Sequence, residues 1–473
     1  MSIFHNLAKY GKRIAIIEDN YNKISYSKLI KESDFISSHI KNRSLILILA
    51  TNQSECLFGY VGFLRNNHVV MFIDNYISDT NLDKLIDSYH PDFIFIEKSK
   101  KYLSKKKLNV ILELNKYVLV KNDHLFKKKI HKDLSILLAT SGSTGNPKFV
   151  RISKKNILLN TISISNFLKI NENHKAITTL PMNYTYGLSI INTHIYSGAK
   201  IILTDEKIVS KIFWDLLRNT KVTSFGGVPF IYEVLYKLKV EKLNLKYIKY
   251  FTQAGGKLSN DLIIKFAEYC KKHKKKFYIM YGQTEATARM SFLPFKYILR
   301  KIGSIGKPIK NCKFEIVDKR NNIIDANNKI GNLLFYGNNV SMGYANNYKD
   351  LSKSDCNNGI LKTGDLASKD KDGFYYIKGR DNRYAKLYGK RINLDDVENE
   401  LRNKGFINAC LEKDEILNVH IVNNKSSFDD KLKEKIMTII IHFLKINKNI
   451  IKIKFINKLP INNYGKTMYK KLD

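Results

Sequence analysis

Short, continuously apolar runs alternate with longer amphipathic stretches over most of the chain, and this alternation restricts the possible folds more than any other feature. The runs are rich in Ile, Leu, Val and Phe, and they lie at residues 45–49, 69–73, 93–96, 136–138 and 201–203. Runs that are apolar on both faces are typical of strands buried inside a parallel sheet. Residues 26–40 and 260–271 have the spacing of amphipathic helices. The alternation predicts layers of α/β structure.

The pattern changes after about residue 308. Segments 313–318, 331–336 and 373–378 alternate apolar and polar residues and are separated by Asn, Gly and Asp, which favours antiparallel strands and turns. A final segment of about 90 residues mixes strand-like and helix-like patterns. We therefore predict an α/β protein with layered α/β subdomains, a β-rich subdomain and a small α+β C-terminal domain.

The net charge is strongly positive, with 81 Lys and Arg against 43 Asp and Glu, or +38. Proteins that bind nucleic acid or anionic membranes usually concentrate such an excess on one arm or face. Residues 382–473 hold 19 basic and 11 acidic residues, so about a fifth of the charge lies in about a fifth of the chain. The even spread favours a general compositional bias over a specific nucleic-acid-binding surface.

The cysteines are far apart and form neither a Cys-x-x-Cys pair nor a metal-ligand spacing; they are Cys56, Cys270, Cys312, Cys356 and Cys410. This usage is typical of a reducing compartment with free thiols. The first 13 residues lack an apolar leader, and no apolar stretch is long enough to span a bilayer. We expect a cytoplasmic protein without a membrane span.

Residues 139–148, Ala-Thr-Ser-Gly-Ser-Thr-Gly-Asn-Pro-Lys, follow one of the buried strand runs. The glycines let the backbone turn tightly, so that N–H and O–H groups can converge on anionic oxygens. Lys148 adds a positive charge suited to phosphates. The spacing is not that of a Walker loop, because Pro147 rather than glycine precedes Lys148. Taken alone, the segment is also compatible with a flexible surface loop.

Further short motifs follow along the chain. They are Tyr-Gly-Gln-Thr-Glu at 281–285, Thr-Gly-Asp at 363–365 in a predicted turn, Gly-Arg at 379–380, a Lys/Gly/Arg motif within 386–398, and Pro to Gly-Lys at 460–466. With the glycine-rich loop, their order and spacing make the chain resemble a member of the adenylate-forming superfamily, which includes acyl-CoA synthetases, nonribosomal-peptide adenylation domains and firefly luciferase. The resemblance covers nearly the whole chain.

The resemblance implies that a carboxylate attacks the α-phosphorus of ATP, forming an acyl-adenylate and releasing pyrophosphate. Thr284 and Glu285 are expected to be catalytic, with Thr284 donating to the α-phosphate and Glu285 binding Mg²⁺. Asp365, assisted by Arg380, is expected to receive the ribose hydroxyls. The full set expected to bind ATP is Ser141, Gly142, Ser143, Thr144, Gly145, Lys148, Gly255, Gly256, Lys257, Tyr281, Gly282, Gln283, Thr284, Asp365 and Arg380.

The resemblance also implies an AMP-binding N-terminal domain at residues 1–380 and a mobile C-terminal cap at 383–473. Lys466 is expected to be the catalytic lysine of the cap, bridging the attacking carboxylate and the α-phosphate. Asp381 and Asn382 form the expected hinge, although the family usually carries Asp or Lys at the position of Asn382. Gly389 would line the tunnel through which a thiol reaches the acyl-adenylate.

The segment 181–188 resembles the one that gates the acid channel in the family, with Tyr184 at the gate; a core aromatic residue is the alternative interpretation of Tyr184. The residues expected to bind the acyl group are Tyr184, Gly187, Gly226, Val228 and Pro229. Amino-acid-activating domains place Asp directly after the gating aromatic residue. The presence of Thr185 there favours an acid other than a free α-amino acid.

The expected substrates are therefore ATP with Mg²⁺ and a carboxylic acid, followed by acyl transfer to a thiol, with CoA preferred. A phosphopantetheine carrier protein acting in trans, or an amine, is the alternative acceptor. A more distant alternative is a basic nucleic-acid-binding protein that retains a degenerate adenylation fold. The sequence does not identify the acid.

Overall fold

The computed structural model of the protein describes residues 2–100, 102, 109–122, 128–139, 148–380, 383–387, 390–423, 430–461 and 467–472. The chain divides into two compact units. The first comprises Met1–Phe314 and Phe335–Leu361, and the second comprises Glu315–Leu334 and Lys362–Asp473. The predicted division at residues 381–382 stays a prediction.

In the first unit, eight strands of the described chain form one sheet. In spatial order they are β19 (Tyr344–Ala345), β9 (Phe149–Ser153), β8 (Leu134–Ala139), β4 (Val69–Asp74), β3 (Leu45–Ala50), β5 (Phe93–Glu97), β7 (Tyr117–Lys121) and β6 (Asn109–Glu113). The central strands β8, β4, β3 and β5 pair in parallel. The outer strands pair antiparallel. The sheet is therefore parallel in its centre and antiparallel at both sides.

Nine further strands of the first unit form a second sheet. In order they are β16 (Lys307–Pro308), β15 (Ser291–Leu293), β14 (Lys276–Tyr281), β13 (Tyr250–Gln253), β12 (Ser224–Gly227), β10 (Lys175–Ile177), β11 (Lys200–Ile202), β1 (Ile14–Ile17) and β2 (Lys23–Ser25). All pairs from β14 to β1 are parallel. The carboxyl ends of these strands therefore meet at one edge.

Helices connect these strands, as the alternating pattern predicts. They are α1 (Tyr26–Ser38), α2 (Ser54–Arg65), α3 (Asp79–Tyr89), α4 (Lys154–Leu168), α5 (Thr185–Tyr196), α6 (Lys211–Asn219), α7 (Pro229–Lys237) and α8 (Asn260–Lys272). Their starts carry recognisable signals: Ser153 and Asn156 form a reciprocal capping box at α4. Pro229 occupies the first turn of α7, where a missing N–H costs little.

Alternate residues of the central strands pack into two separate cores. Ile46 and Ile48 of β3 belong to the core that also contains residues of α1, α2 and the second sheet. Leu45, Leu47 and Leu49 belong to the core on the other face, with residues of α3. The prediction that these runs are strands buried on both faces is confirmed by this separation.

The second unit contains smaller sheets. The strands that lie wholly or mostly in this unit form three sheets. They are β17 (Lys313–Val317), β18 (Gly331–Tyr336), β20 (Ile360–Lys369) and β21 (Tyr375–Arg380) in the first, β22 (Tyr384–Leu387) and β23 (Lys390–Asn393) in the second, and β24 (Asn408–Lys413), β25 (Ile416–Val422) and β26 (Ile451–Ile456) in the third. Helices α9 (Leu394–Asn403) and α10 (Asp430–Leu444) complete it. The described residues from Ala385 to Phe455 form a core of their own. The predicted fold class, layered α/β subdomains with a β-rich part and a small α+β part, is confirmed.

No helix in the described part of the chain combines the length and apolar character needed to cross a bilayer.

His194 of α5 makes the stability of the first unit depend on pH. Its Nδ1 lies 2.8 Å from the Ile190 carbonyl oxygen and its Nε2 lies 3.2 Å from the Ser224 hydroxyl, which suits a neutral ring protonated on Nδ1. Burial lowers the pKa of His194 from 6.5 to about 4. As pH falls, the unfolded chain takes up this proton first, so stability is present above pH 6.5 and is lost between pH 6.5 and 4.

Between pH 7 and pH 4, the free energy of unfolding of His194→Gln should fall by about 3 kcal/mol less than that of the wild type. Urea unfolding of the wild type and the variant at both pH values measures the difference. His5→Gln, at an exposed histidine, is the matched control and should retain the full loss. Equal losses in the wild type and His194→Gln would contradict the assignment.

Candidate active site

The first group of predicted site residues lies at one edge of the nine-stranded sheet. Strands β12, β13 and β14 are neighbouring and parallel, so their carboxyl ends open at the same place. Val228 follows β12, Gly255 follows β13, and Tyr281 ends β14. Tyr184 lies between β10 and α5. Crevices at the carboxyl ends of parallel strands are the usual ligand sites of open α/β sheets.

Tyr184, Val228 and Gly255 are in direct contact. Gly255 has φ +85°, and a Cβ placed on it would lie 2.5 Å from the Tyr184 hydroxyl oxygen and 3.1 Å from a Val228 methyl carbon. Only glycine fits this position, for both conformational and steric reasons. Burial raises the pKa of Tyr184 to about 12, so its hydroxyl stays protonated. The structure thus brings Tyr184 and Val228, which are expected to bind the acyl group, into contact with Gly255, which is expected to bind ATP.

Other glycines of the site also mark close packing. A Cβ on Gly226 would lie 2.8 Å from Ile190 Cδ1 and 3.1 Å from the Tyr186 hydroxyl. A Cβ on Gly187 would lie 2.4 Å from the Pro181 carbonyl oxygen, so α5 begins against the loop that carries Tyr184. Gly256 faces the ring of Pro229. The predicted acyl-binding residues therefore lie in closely packed segments, and we call the part formed by Tyr184, Val228 and Gly255 the wall of the site.

The turn that carries Thr284 and Glu285 is strained. Thr287 has φ +55° and Ala288 has φ +105°, values that cost side-chain-bearing residues about 1–3 kcal/mol each. The buried Asn339 holds the turn: the Thr287 hydroxyl donates to its carbonyl oxygen at 2.7 Å, and its Nδ2 donates to the carbonyl oxygen of Ala286 at 2.8 Å.

Asn160 of α4 holds the end of the same turn. Its Nδ2 donates to the Arg289 carbonyl oxygen at 2.7 Å, and its Oδ1 accepts from the Arg289 backbone N–H at 3.2 Å. Asn339 Nδ2 donates to the same carbonyl at 3.0 Å. Two buried side-chain amides therefore satisfy the backbone of this turn.

Each of the two predicted catalytic residues in the turn has a side-chain partner. The Thr284 and Thr185 hydroxyl oxygens lie 2.8 Å apart, which ties the turn to the start of α5. The Tyr344 hydroxyl donates to Glu285 Oε1 at 2.7 Å. Burial and the neighbouring Glu285 carboxylate raise the pKa of Tyr344 well above its ordinary range, so Tyr344 remains a donor.

Glu285 fits a Mg²⁺ site of the kind in which nucleotide phosphates supply further oxygen ligands. Within the described residues, no group of three or more His, Cys, Asp and Glu side chains is placed to hold a metal ion. Mg²⁺ commonly binds one or two carboxylates together with substrate phosphates and water. A single oriented carboxylate is consistent with that arrangement and not with a closed protein cage.

In the second unit, Asp365 and Arg380 form the pair expected at the ribose. They are opposite each other in the β20–β21 ladder, and Arg380 Nε lies 3.2 Å from Asp365 Oδ1. Asp365 is 3% exposed. The predicted turn at 363–365 is wrong, because these residues lie inside β20. Gly364 explains the error: its φ of +72° resembles a turn, but strand pairing continues beyond it.

A buried ion cluster lies in the C-terminal part of the second unit. Glu398 accepts from Arg383 at 2.5 Å, from Arg402 at 2.9 Å and from the Tyr469 hydroxyl at 3.0 Å. The Arg383 guanidinium lies 4.0 Å from the centre of the Tyr469 ring. The cluster joins the residue directly after the predicted hinge to the segment directly after the predicted catalytic lysine.

Several predicted residues fall outside the described part of the chain. They are Ser141, Gly142, Ser143, Thr144 and Gly145 of the glycine-rich loop, Asp381 and Asn382 of the hinge, Gly389 of the tunnel, and Lys466. The ends of the Lys466 segment are described: Ile461 and Thr467 form an antiparallel bridge, and the Met468 N–H donates to the Pro460 carbonyl at 2.7 Å.

The remaining predicted residues are placed as follows. Lys148 and Lys257 are exposed. Gln283 Nε2 donates to the Tyr281 hydroxyl at 3.3 Å. A Cβ on Gly282 would lie 1.7 Å from the Ala288 carbonyl oxygen, so Gly282 allows the strained turn to close on itself.

Sequence reasoning missed four residues of the site: Asn160, Asn339, Tyr344 and Arg289. The first two act through backbone contacts between distant segments, which leave no local pattern. Tyr344 lies 59 positions from Glu285. Arg289 follows the Tyr-Gly-Gln-Thr-Glu motif by four positions, a hint that the abundance of basic residues obscures.

Curated relatives at low identity share a common name. The 2-succinylbenzoate–CoA ligase of Bacillus cereus is 27% identical over 270 residues, covering 57% of this chain and 54% of the relative. In that alignment the chain spans about half of the relative's length. The ligase of the same name from Oceanobacillus iheyensis is 25% identical over 402 residues, covering 83% of this chain and 79% of the relative.

A solved structure confirms the fold. The O-succinylbenzoate coenzyme A synthetase of Bacillus subtilis in complex with AMP superimposes with a TM-score of 0.79 at 20% identity, covering 100% of this chain and 98% of that chain. The sequence profile described as AMP-binding enzyme matches residues 3–345, which is more than half of the chain. The predicted resemblance is thereby confirmed, and the chain belongs to the AMP-binding enzyme family of the adenylate-forming superfamily.

Proposed function

We propose that the protein activates a carboxylic acid with ATP. A carboxylate oxygen of the acid attacks the α-phosphorus, the bond to the β-phosphate oxygen breaks, and the products are an acyl-adenylate and pyrophosphate. The observation that carries this proposal is the strained turn at 284–288, which presents the Thr284 hydroxyl and the Glu285 carboxylate beside the wall of Tyr184, Val228 and Gly255. A hydroxyl donor and a carboxylate suited to Mg²⁺ beside this wall suit the reaction.

Each group has a separate task in the proposed reaction. Thr284 donates a hydrogen bond to an α-phosphate oxygen as negative charge grows there. Glu285 holds Mg²⁺, which neutralises phosphate charge when it is bound. Asp365 accepts hydrogen bonds from the ribose hydroxyls, with Arg380 fixing its carboxylate. Lys466 supplies a positive charge between the two reacting anions.

CoA is the proposed acceptor of the acyl group. Its thiol sulfur attacks the acyl carbon, a thioester forms, and AMP leaves. The names of the two curated relatives, both CoA ligases, support this choice. Transfer of the acyl group to a carrier protein or to an amine is the second candidate, because no described contact distinguishes these acceptors from CoA.

We further propose that the part from residue 383 onward is a cap that turns about residues 381–382. Its separate core supports an independently moving body. The Glu398 cluster supports it too, since Arg383 and Tyr469 would move as one piece with the Lys466 segment. We propose a cytoplasmic location, which suits five free thiols, of which Cys56, Cys270 and Cys410 are buried.

We expect Lys466→Ala to reduce acid-dependent ATP–pyrophosphate exchange by about 100-fold or more, because the charge between the reacting anions is lost. ATP binding, measured by calorimetry, should change by less than about threefold if the lysine acts mainly in the transition state. Lys470→Ala is the matched control, because Lys470 is an exposed lysine of the same segment. Near-normal exchange in Lys466→Ala would refute the role.

We expect Tyr344→Phe to raise the Mg²⁺ concentration needed for half-maximal exchange by about tenfold, because the hydrogen bond that orients Glu285 is lost. The maximal rate at saturating Mg²⁺ should change little. Tyr76→Phe, at a side chain that is 84% exposed, controls for the loss of a hydroxyl. An unchanged Mg²⁺ midpoint in Tyr344→Phe would show that Glu285 is not the metal ligand or needs no orientation.

A further inference from the structure

Arg289 carries a buried positive charge that the proposed reaction does not use. The residue is 2% exposed, and its guanidinium carbon lies 4.6 Å from the centre of the Tyr186 ring. Its hydrogen bonds are long: 3.3 Å from Nη2 to the Ser189 hydroxyl and 3.4 Å from Nη1 to the Ala288 carbonyl. Nε has no partner among the described residues. Within that part of the chain, no Asp or Glu is within salt-bridge distance of Arg289.

A half-buried arginine of the same unit, Arg43, shows how a guanidinium is satisfied in a structural role. Arg43 donates to four backbone carbonyls, of Asn67, Ile130, His131 and Leu134, at 2.7–3.0 Å. These bonds compensate its burial without a carboxylate. Arg289 has no comparable set, although an unpaired buried charge strongly destabilises the fold. Stacking on a tyrosine ring offsets only part of that cost.

The position of Arg289 points to the acid-binding pocket. The guanidinium lines a small cavity together with Tyr186, Ser189, Ile190 and Gly226. Gly226, one of the residues expected to bind the acyl group, lies in β12, and a side chain there would meet Ile190 and Tyr186, which line this cavity. Arg289 is also close enough to Tyr184 and Tyr186 that each interacts electrostatically with it, and burial lowers the pKa of its guanidinium.

We propose that Arg289 binds a second carboxylate on the acid substrate, so that the preferred substrate is a dicarboxylic acid. This inference rests on the proposed adenylation. One carboxylate is activated by ATP, while the other enters the cavity behind Gly226 and forms a charge-assisted hydrogen bond with the guanidinium. A planar guanidinium matches a carboxylate in a two-point contact. The cavity is small, about 20 Å³, so it can receive no more than the carboxylate end of the acid.

The decisive measurement is ATP–pyrophosphate exchange with matched pairs of acids that differ by one carboxylate. The pairs are glutarate with pentanoate, adipate with hexanoate, and 2-succinylbenzoate with 4-oxo-4-phenylbutanoate. We expect the wild type to prefer the dicarboxylate of its best pair by about 100-fold in kcat/KM, because a buried unpaired arginine disfavours a substrate that lacks the partner group. A preference for the monocarboxylate throughout would overturn the proposal.

Arg289→Gln tests the residue itself. We expect kcat/KM for the preferred dicarboxylate to fall by about 100-fold and that for its monocarboxylate partner to change by less than about threefold. Arg289→Lys should recover part of the dicarboxylate activity. Arg300→Gln removes an exposed arginine of the same unit and should change neither. Equal losses for both acids would assign Arg289 a structural role and overturn the proposal.

The wild-type preference within the pairs decides the question even if Arg289→Gln does not fold, which its thermal midpoint would reveal. Exchange with monocarboxylates alone would overturn this inference and leave the proposed adenylation intact. Absence of exchange with any acid, including the pairs above, in a folded sample that binds ATP would overturn both.

Discussion

The turn between Gln283 and Arg289 depends on two buried amides, and the site depends on the turn. Positive φ angles at Thr287 and Ala288 would relax in an isolated peptide, since both residues carry side chains. Asn160 and Asn339 prevent this by binding the backbone on both sides of the strained residues. The conformation of Thr284 and Glu285 is thus set by contacts with α4 and with the segment that follows β18, and not by their own neighbours in sequence.

The constraint also explains which parts of the molecule could be predicted. Runs such as residues 45–49 identified strands, because burial on both faces of a sheet requires apolar residues at every position. The segment from Thr363 to Asp365 was wrongly predicted to be a turn, because glycine at positive φ occurs both in turns and in bent strands. Tyr184 and Gly255 were found through motifs, but their mutual contact depends on strand order, which no local pattern encodes. Asn160 and Asn339 could not be found in a chain so rich in asparagine.

The Glu398 cluster shows a second use of long-range polar contacts. Removing a buried carboxylate and two guanidinium groups from water costs free energy, and apolar side chains of the same size would often be at least as stable. What the cluster adds is geometry: Tyr469 can be held only where Glu398 accepts its hydroxyl and Arg383 stacks on its ring. In the proposed cap, such a network would fix the direction of the segment that carries Lys466, whereas an apolar contact would allow that segment to slide.

The basic residues of the chain differ in their roles according to whether they are exposed or buried. Most of the basic residues contribute to a diffuse positive surface, which can attract anionic reactants of any kind but cannot distinguish among them. Arg289 differs because it is buried. Its guanidinium contacts the Tyr186 ring, and its hydrogen bonds to the Ser189 hydroxyl and the Ala288 carbonyl are long. Arg43, which is half-buried, shows that the same fold can satisfy a guanidinium with backbone carbonyls alone. Arg289 lies next to Gly226, where a substrate carboxylate would complete its bonding, so the proposed selectivity depends on where one charge lies and not on how many the chain carries.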